Sequence, residues 1–292
     1  MANVAFCGLG SMGLPMAARL AGAGHHLTVW NRTSGKAAPL AERGVVLAAT
    51  PAEAAGNAEV AITMLATPEA LERVVFGAHG LNEGLAPGSI LVEMSTVGPE
   101  AIRSTRTWLH KEVELLDAPV LGSIGEARSG TLKIFVGGEA GPFDRVRPVL
   151  EAMGSPRLVG PLTSGAATKL VVNSTLMALM TALAEALALG DALGLEQAAL
   201  LGVLSESPIG VTARGKRSRI ERGEYPANFK LGLARKDSAL VVEEAQRLRV
   251  TLPLAEAALS WMAQADEAGL GDLDYSAVIP HIRRLQAGPA GR

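Results

Sequence analysis

Short apolar runs alternate with longer amphipathic segments through the first half of the chain. The apolar runs have the length of buried strands, and they lie at residues 3–8, 27–31, 60–65, 90–94, 113–117 and 133–136. The amphipathic segments have helical spacing, and they lie at residues 12–23, 35–43, 68–76, 99–111 and 143–152. Strands that alternate with helices predict a doubly wound parallel sheet with right-handed crossovers.

The pattern changes near Pro161, because the rest of the chain shows helical periodicity and no convincing strand. The predicted helices lie at residues 164–193, 195–205, 233–249, 254–268 and 275–285. We therefore predict an α/β domain at residues 1–162, followed by an all-helical domain at residues 163–292 that begins with a long interdomain helix. Polar residues such as Asn173 and Glu185 interrupt this apolar helix, which favours burial in protein over a membrane span.

The composition excludes several classes of function. The chain has 292 residues, of which 48% are hydrophobic, so it can form packed cores and is not a disordered protein. Its net charge of -2 gives no electrostatic reason to bind nucleic acid or an anionic membrane. The single cysteine, Cys7, cannot form an intrachain disulfide and suits the cytoplasm, and the five histidines show no metal-ligand spacing.

A glycine-rich turn follows the first predicted strand and opens the first predicted helix; it reads Gly8-Leu9-Gly10-Ser11-Met12-Gly13. In this context the glycines allow a tight turn, and they let a pyrophosphate approach the positive end of the helix dipole. The alternative is a glycine turn that binds nothing. The strand and helix on either side favour a Rossmann-type dinucleotide-binding domain.

The end of the second predicted strand bears on the choice between the nicotinamide cofactors. A carboxylate at this place accepts a hydrogen bond from the ribose 2′-hydroxyl of NAD, but the segment from Asn31 to Lys36 contains none. Arg32, Thr33 and Lys36 instead suit a 2′-phosphate. We therefore expect NADP to be preferred, with NAD as the alternative cofactor.

Three further segments contain residues suited to substrate chemistry. The backbone N–H groups of Gly122 and Ser123, with the Ser123 hydroxyl, suit a carboxylate, although a turn rich in small residues is often only a loop. Lys169 and Asn173 are four positions apart and share one face of the long helix, where a partly desolvated lysine suits proton transfer. Lys236, beside an aspartate, is a second candidate, and its alternative is an ordinary surface ion pair.

Taken together, these motifs resemble the 3-hydroxyisobutyrate dehydrogenase family, the β-hydroxyacid dehydrogenases, over nearly the whole chain. The matching stretches are residues 6–17, 63–65, 94–96 and 117–120, Lys169-x-x-x-Asn173 and Lys236-Asp237. The resemblance implies that Lys169 is the catalytic acid and base and that Asn173 contacts the substrate. It also implies that Met64, Leu65 and Thr96 line the cofactor, and that Lys236 lies over the site and contacts cofactor and substrate.

Two positions depart from the family's pattern. The substrate loop usually contains a serine where this chain has Leu121, so Ser123 is the candidate to supply the missing hydroxyl. The segment before the catalytic lysine usually has a second glycine where this chain has Thr163, and we expect this change to restrict the backbone there.

The sequence therefore predicts a cytoplasmic, NADP-preferring dehydrogenase of a small 3-hydroxy acid, with oxidation of 3-hydroxyisobutyrate to methylmalonate semialdehyde as the first candidate reaction. One alternative is an NADPH-dependent reductase of glyoxylate, succinic semialdehyde or tartronate semialdehyde, and another is a non-catalytic NADP-binding module. We expect a homodimer or homotetramer, and no nucleic-acid, membrane or metal partner.

Overall fold

The computed structural model describes residues 1–286. Its first compact unit is Met1–Leu170 and its second begins at Val171, so the division falls inside the long helix Ser164–Ala192. The boundary predicted between residues 162 and 163 lies just before that helix. Each unit has its own buried apolar core.

The first unit is built on one sheet, to which the described residues contribute nine strands. The strands are Asn3–Cys7 (β1), His26–Trp30 (β2), Val46–Leu47 (β3), Val60–Thr63 (β4), Ile90–Glu93 (β5), Glu114–Asp117 (β6), Val120–Leu121 (β7), Leu132–Gly137 (β8) and Gly154–Gly160 (β9). Their order is β3-β2-β1-β4-β5-β6-β8-β7, and β9 pairs with β8. Cys7 lies opposite both Trp30 and Thr63, so β1, β2 and β4 end at the same edge of the sheet.

Both faces of the sheet are covered. Phe6 and Ile62 belong to the core on one face, and Ala5 and Ala61 belong to the core on the other. Burial on both sides explains why the strands read as continuous apolar runs. The helices of this unit are Gly13–Gly22 (α1), Pro51–Ala55 (α2), Pro68–Phe76 (α3), Leu81–Gly84 (α4), Gly98–Trp108 (α5), Ile124–Ser129 (α6) and Ala140–Glu151 (α7), and Ser164–Ala192 (α8) begins here.

The doubly wound fold is confirmed, but the sheet is not wholly parallel, because β8 runs antiparallel to β6 and β7. Only the six-residue α6 lies between β7 and β8. A parallel connection needs a dozen or more residues, usually with a helix that crosses the sheet, so this short connection returns the chain in the opposite direction. The predicted helix at residues 35–43 is also corrected: Ser34–Arg43 is a 3₁₀ helix, and Pro39 lies inside it.

The second unit is helical throughout the part of the chain that the structure describes. Its helices after α8 are Gln197–Glu206 (α9), Gly210–Arg222 (α10), Leu231–Arg247 (α11), Pro253–Ala265 (α12) and Val278–Gln286 (α13). A π-helical turn, Asp266–Leu270, and a 3₁₀ turn, Tyr275–Ala277, connect the last two. The sequence analysis did not predict α10, and it merged the 3₁₀ turn with α13.

Helix α8 is long and apolar enough to cross a membrane by length and composition alone. Met177, Met180, Leu183 and Leu187 of this helix are nevertheless buried in the core of the helical unit. The core helix of a soluble protein passes the same test, so this single helix is weak evidence for a membrane span.

The first turn of α8 is attached to the sheet through Asp117, the last residue of β6. Asp117 Oδ1 accepts a hydrogen bond from the N–H of Thr163 at 2.8 Å, and Oδ2 accepts one from the N–H of Ala166 at 2.6 Å. Burial raises the pKa of Asp117, and the backbone N–H groups of Ala166, Thr163 and Gly165 oppose that rise. A side chain at Gly165 would lie 2.6 Å from the Asp117 carbonyl oxygen, so only glycine fits. The carboxylate therefore determines where α8 begins.

Thr163 has a strained backbone at this junction. Its φ of 83° lies in the left-handed region, which a β-branched residue rarely adopts. The hydrogen bond to Asp117 holds it there. Thr163, which stands where the family usually has glycine, therefore strains the backbone just before α8 as well as restricting it.

We expect Thr163→Gly to stabilise the protein by about 1 kcal/mol, because the relieved strain exceeds the added flexibility of glycine. Thr67→Gly is the matched control: Thr67 has φ -143° and caps α3 by accepting a hydrogen bond from the N–H of Ala70, so the change should destabilise. Urea denaturation followed by far-UV circular dichroism measures both. Equal destabilisation by the two changes would contradict the assignment of strain to Thr163.

Candidate active site

The glycines in the turn after β1 are needed for two different reasons. Gly8 has φ 107°, and a side chain there would collide with the carbonyl oxygen of Met64, while one at Gly13 would collide with the carbonyl oxygen of Gly8. The protein's own packing therefore requires these two glycines. Nothing lies within 4 Å of the place where a Gly10 side chain would stand, so the protein's own packing leaves that space open. Such an opening beside a helix N-terminus fits the close approach of a diphosphate.

Asn31 joins the glycine turn to the loop after β2. Its Oδ1 accepts a hydrogen bond from the N–H of Leu9 at 2.8 Å, and its Nδ2 donates one to the carbonyl oxygen of Thr33 at 2.9 Å. Asn31 therefore shapes the loop that presents Arg32 and Lys36, both of which are exposed. The Leu9 side chain is buried in the core, so this residue can offer a ligand only its backbone.

The loops after β4 and β5 lie side by side. The N–H of Leu65 donates a hydrogen bond to the Ser95 hydroxyl at 2.7 Å, and the N–H of Ser95 donates one to buried Glu93 at 2.9 Å. These bonds fix the half-buried Met64, Leu65 and Thr96 at the same edge of the sheet as the glycine turn. The structure thus brings together the cofactor residues predicted in the first unit, with Ser11 and Met12 also at this edge.

Lys169 lies in the second turn of α8, three residues after Ala166, whose N–H is held by Asp117. Its side chain is half-buried. Because Asp117 fixes the first turn of the helix, it also fixes the height of Lys169 above the sheet of the first unit. Sequence analysis found the lysine but gave Asp117 no role.

In the helical unit, Asn173 is held by a charged pair from α11. Asn173 is 1% exposed, and its Nδ2 donates a hydrogen bond to Asp237 Oδ2 at 2.8 Å. The other carboxylate oxygen of Asp237 lies 2.6 Å from Lys236 Nζ. Among the described residues, Asn173 Oδ1 is buried with no hydrogen-bond partner. Lys236 is therefore a partly exposed member of a polar network with buried Asp237 and Asn173, and not an ordinary surface ion pair.

The predicted carboxylate-binding turn is occupied by the chain itself. The N–H of Ser123 and the Ser123 hydroxyl both donate hydrogen bonds to Glu126 Oε2, at 2.7 Å and 2.6 Å. The Ser123 hydroxyl bond, and then the N–H bond, lower the pKa of Glu126. Substrate binding by Gly122 and Ser123 stays a prediction, and any ligand there must compete with Glu126.

Sequence reasoning missed the roles of three residues that organise these sites: Asp117, Asp237 and Glu126. A signal for Asp117 was present, because an aspartate at the end of a buried apolar strand needs buried partners. The Ser-x-x-Glu spacing of residues 123–126 is the signature of a capping box and was readable as well. The Lys236-Asp237 pair was recognised from the sequence, but the hydrogen bond from Asn173 to Asp237 had no signal, because the two residues are 64 positions apart.

Known protein families match this chain in two regions. A family model described as the NAD binding domain of 6-phosphogluconate dehydrogenase matches residues 3–169. A second, described as "NAD-binding of NADP-dependent 3-hydroxyisobutyrate dehydrogenase", matches residues 163–282. Together the two models span almost the whole chain.

Two curated proteins and one solved structure illustrate the similarity. The chain is 37% identical to 3-hydroxyisobutyrate dehydrogenase of Pseudomonas aeruginosa, over 95% of this chain and 97% of that protein. It is 35% identical to 3-sulfolactaldehyde reductase of Escherichia coli, over 97% and 96% respectively. The structure of Mycobacterium tuberculosis 3-hydroxyisobutyrate dehydrogenase with L-serine superposes with a TM-score of 0.87 at 31% identity, covering 97% of this chain and 99% of that chain. The chain therefore belongs to the 3-hydroxyisobutyrate dehydrogenase family of NAD(P)-dependent oxidoreductases.

Proposed function

We propose that this enzyme interconverts a small 3-hydroxy acid and its semialdehyde, with NADP as the preferred cofactor. The observation that carries the proposal is the buried Asn173 Oδ1, which has no partner within the described chain and lies one helical turn after Lys169 on α8. A buried acceptor left unsatisfied costs about 1–3 kcal/mol, so a ligand hydroxyl that donates to it is strongly favoured. Asp237 holds the amide so that its oxygen is the free end.

Lys169 is the proton-transfer group in this proposal. The nicotinamide, when bound, exchanges a hydride with the hydroxyl-bearing carbon of the substrate. Lys169 takes the hydroxyl proton during oxidation and returns it during reduction. Asn173 orients the hydroxyl, and the positive charge of Lys236 attracts the negatively charged substrate and cofactor. The attachment of α8 to Asp117 supplies the fixed position that such a transfer needs.

Two substrate assignments follow from different observations. Oxidation of 3-hydroxyisobutyrate is favoured by the Lys169 and Asn173 pair and by the Pseudomonas relative of that name. Reduction of a small semialdehyde is favoured by the Escherichia coli relative named 3-sulfolactaldehyde reductase. Glyoxylate, succinic semialdehyde and tartronate semialdehyde are the further candidates in this direction.

The cofactor preference rests on the loop after β2. Arg32, Thr33 and Lys36 are all exposed there and free to meet a 2′-phosphate. Asn31 occupies the position at which an acidic residue would accept a hydrogen bond from the ribose 2′-hydroxyl of NAD. Its Nδ2 donates a hydrogen bond to the Thr33 carbonyl oxygen. A carboxylate at position 31 would repel that carbonyl, so the local hydrogen bonding also favours an uncharged residue there.

We also propose that the enzyme works in the cytoplasm as a homodimer or homotetramer. Three large apolar side chains of α8, those of Val171, Leu179 and Leu189, are exposed in the single chain. A second copy that covers them removes this apolar surface from water.

Lys169→Ala should lower kcat by about 10²–10⁴, the usual contribution of general acid–base catalysis. The dissociation constant for NADP should change little, because the predicted cofactor contacts of the first unit stay intact. Lys111→Ala removes an exposed lysine of the same unit and should leave kcat unchanged. Steady-state kinetics with 3-hydroxyisobutyrate and cofactor titration measure both, and near-normal turnover in Lys169→Ala would refute the assignment.

The wild type should favour NADP over NAD by about ten- to a hundredfold in kcat/KM, because a hydrogen bond to a charged group contributes about 1.5–3 kcal/mol. Arg32→Ala should remove most of that preference. Arg43→Ala is the matched control, since Arg43 is the last residue of the 3₁₀ helix Ser34–Arg43, far from the loop that contains Arg32. If Arg32 only stacks on the adenine, Arg32→Ala lowers kcat/KM equally for both cofactors, and the ratio of the two values stays constant.

A further inference from the structure

We propose that Glu126 is a specificity-determining residue that competes with the substrate's acid group for the donors of Ser123. This inference rests on the proposed function and on the prediction from the sequence that the acid group of the substrate binds at the Gly122–Ser123 turn. Its consequence is a substrate class: small 3-hydroxy compounds with an uncharged group at the turn are accepted alongside the corresponding acids.

The position of Glu126 is fixed at both ends of its side chain. Its carboxylate oxygen Oε2 accepts both hydrogen bonds that Ser123 can donate, from the N–H at 2.7 Å and from the hydroxyl at 2.6 Å. Its methylene groups lie over Gly122, where a side chain would stand 3.0 Å from Glu126 Cβ and 2.8 Å from Leu132 Cδ2. Gly122 also has φ 143°, which favours glycine. The absence of a side chain at residue 122 thus makes room for Glu126 beside Ser123.

Glu126 is negatively charged over the range in which dehydrogenases are assayed. Its two hydrogen bonds from Ser123 lower its pKa below the ordinary value of a glutamate. A substrate carboxylate brought to the same donors would therefore meet a carboxylate already in place, and like charges in contact are unfavourable. The acid must displace Glu126 before it can accept hydrogen bonds from Ser123. A neutral group causes no such repulsion.

Isobutyrate and isobutyramide are suitable probes, because they have nearly the same shape and only the first is charged. Both should be titrated calorimetrically into the full-length enzyme saturated with NADP⁺. Glu126→Gln keeps an oxygen that can accept from the N–H of Ser123, so the turn stays folded while the charge is removed. We expect this variant to bind isobutyrate about tenfold more tightly than the wild type and isobutyramide within about twofold.

Two controls separate a specificity role from a structural one. Glu72→Gln removes an exposed charge from α3 of the same unit and should change neither affinity. Ser123→Ala should change isobutyrate affinity less than about twofold in the wild type, where isobutyrate only exchanges with Glu126 at the hydroxyl. It should weaken that affinity severalfold in the Glu126→Ala background, where no side chain at position 126 competes for the hydroxyl. A residue that only caps α6 would not produce this dependence on background.

An unchanged or weaker affinity of Glu126→Gln for isobutyrate would overturn the inference, and so would an equal gain for isobutyramide. Steady-state turnover of 3-hydroxyisobutyrate, measured in parallel, tests the proposed function separately. If the wild type turns over 3-hydroxyisobutyrate but Glu126→Gln gains no affinity for isobutyrate, only the role of Glu126 is rejected. A gain in isobutyrate affinity without turnover supports Glu126 and rejects the proposed reaction.

Discussion

The hydrogen bonds from the start of α8 to the Asp117 carboxylate are the interaction on which the candidate active site depends. Asp117 ends β6 in the middle of a buried sheet, and its two oxygens accept the N–H groups that begin α8. Gly165 is a glycine because the backbone passes too close to Asp117 for any side chain, and strained Thr163 is held by the same carboxylate. One buried charge thus fixes the start of the helix that contains Lys169.

Two polar clusters, a buried one at Asn173 and a more exposed one at Ser123, provide further candidate contacts. Asn173 donates to Asp237, and its buried amide oxygen has no hydrogen-bond partner among the described residues. The proposed function assigns the substrate hydroxyl to that oxygen. Ser123 has the opposite arrangement, because both of its donors are already used by Glu126. Asn173 thus keeps an open acceptor, whereas the donors of Ser123 are occupied.

Local patterns made much of this molecule predictable from the sequence. The strands next to the glycine turn, the turn itself and the spacing of Lys169 and Asn173 depend on neighbouring residues. Helix α10 was missed because its buried residues are only Gly210, Ala213 and Ile220, too few to form an apolar stripe. The partners of Asp117 and Asp237 lie far away in the chain, and no local pattern specifies such pairs.

The most direct test of the account is the turnover of Asp117→Asn with 3-hydroxyisobutyrate, measured beside its dissociation constant for NADP. Asparagine keeps one acceptor oxygen but places an N–H₂ group against one of the two N–H groups that begin α8. If Asp117 positions Lys169, kcat falls about ten- to a hundredfold, because a misplaced catalytic group costs that much, and cofactor affinity stays within about twofold of the wild type. Wild-type kcat in this variant would contradict the claim that Asp117 positions Lys169.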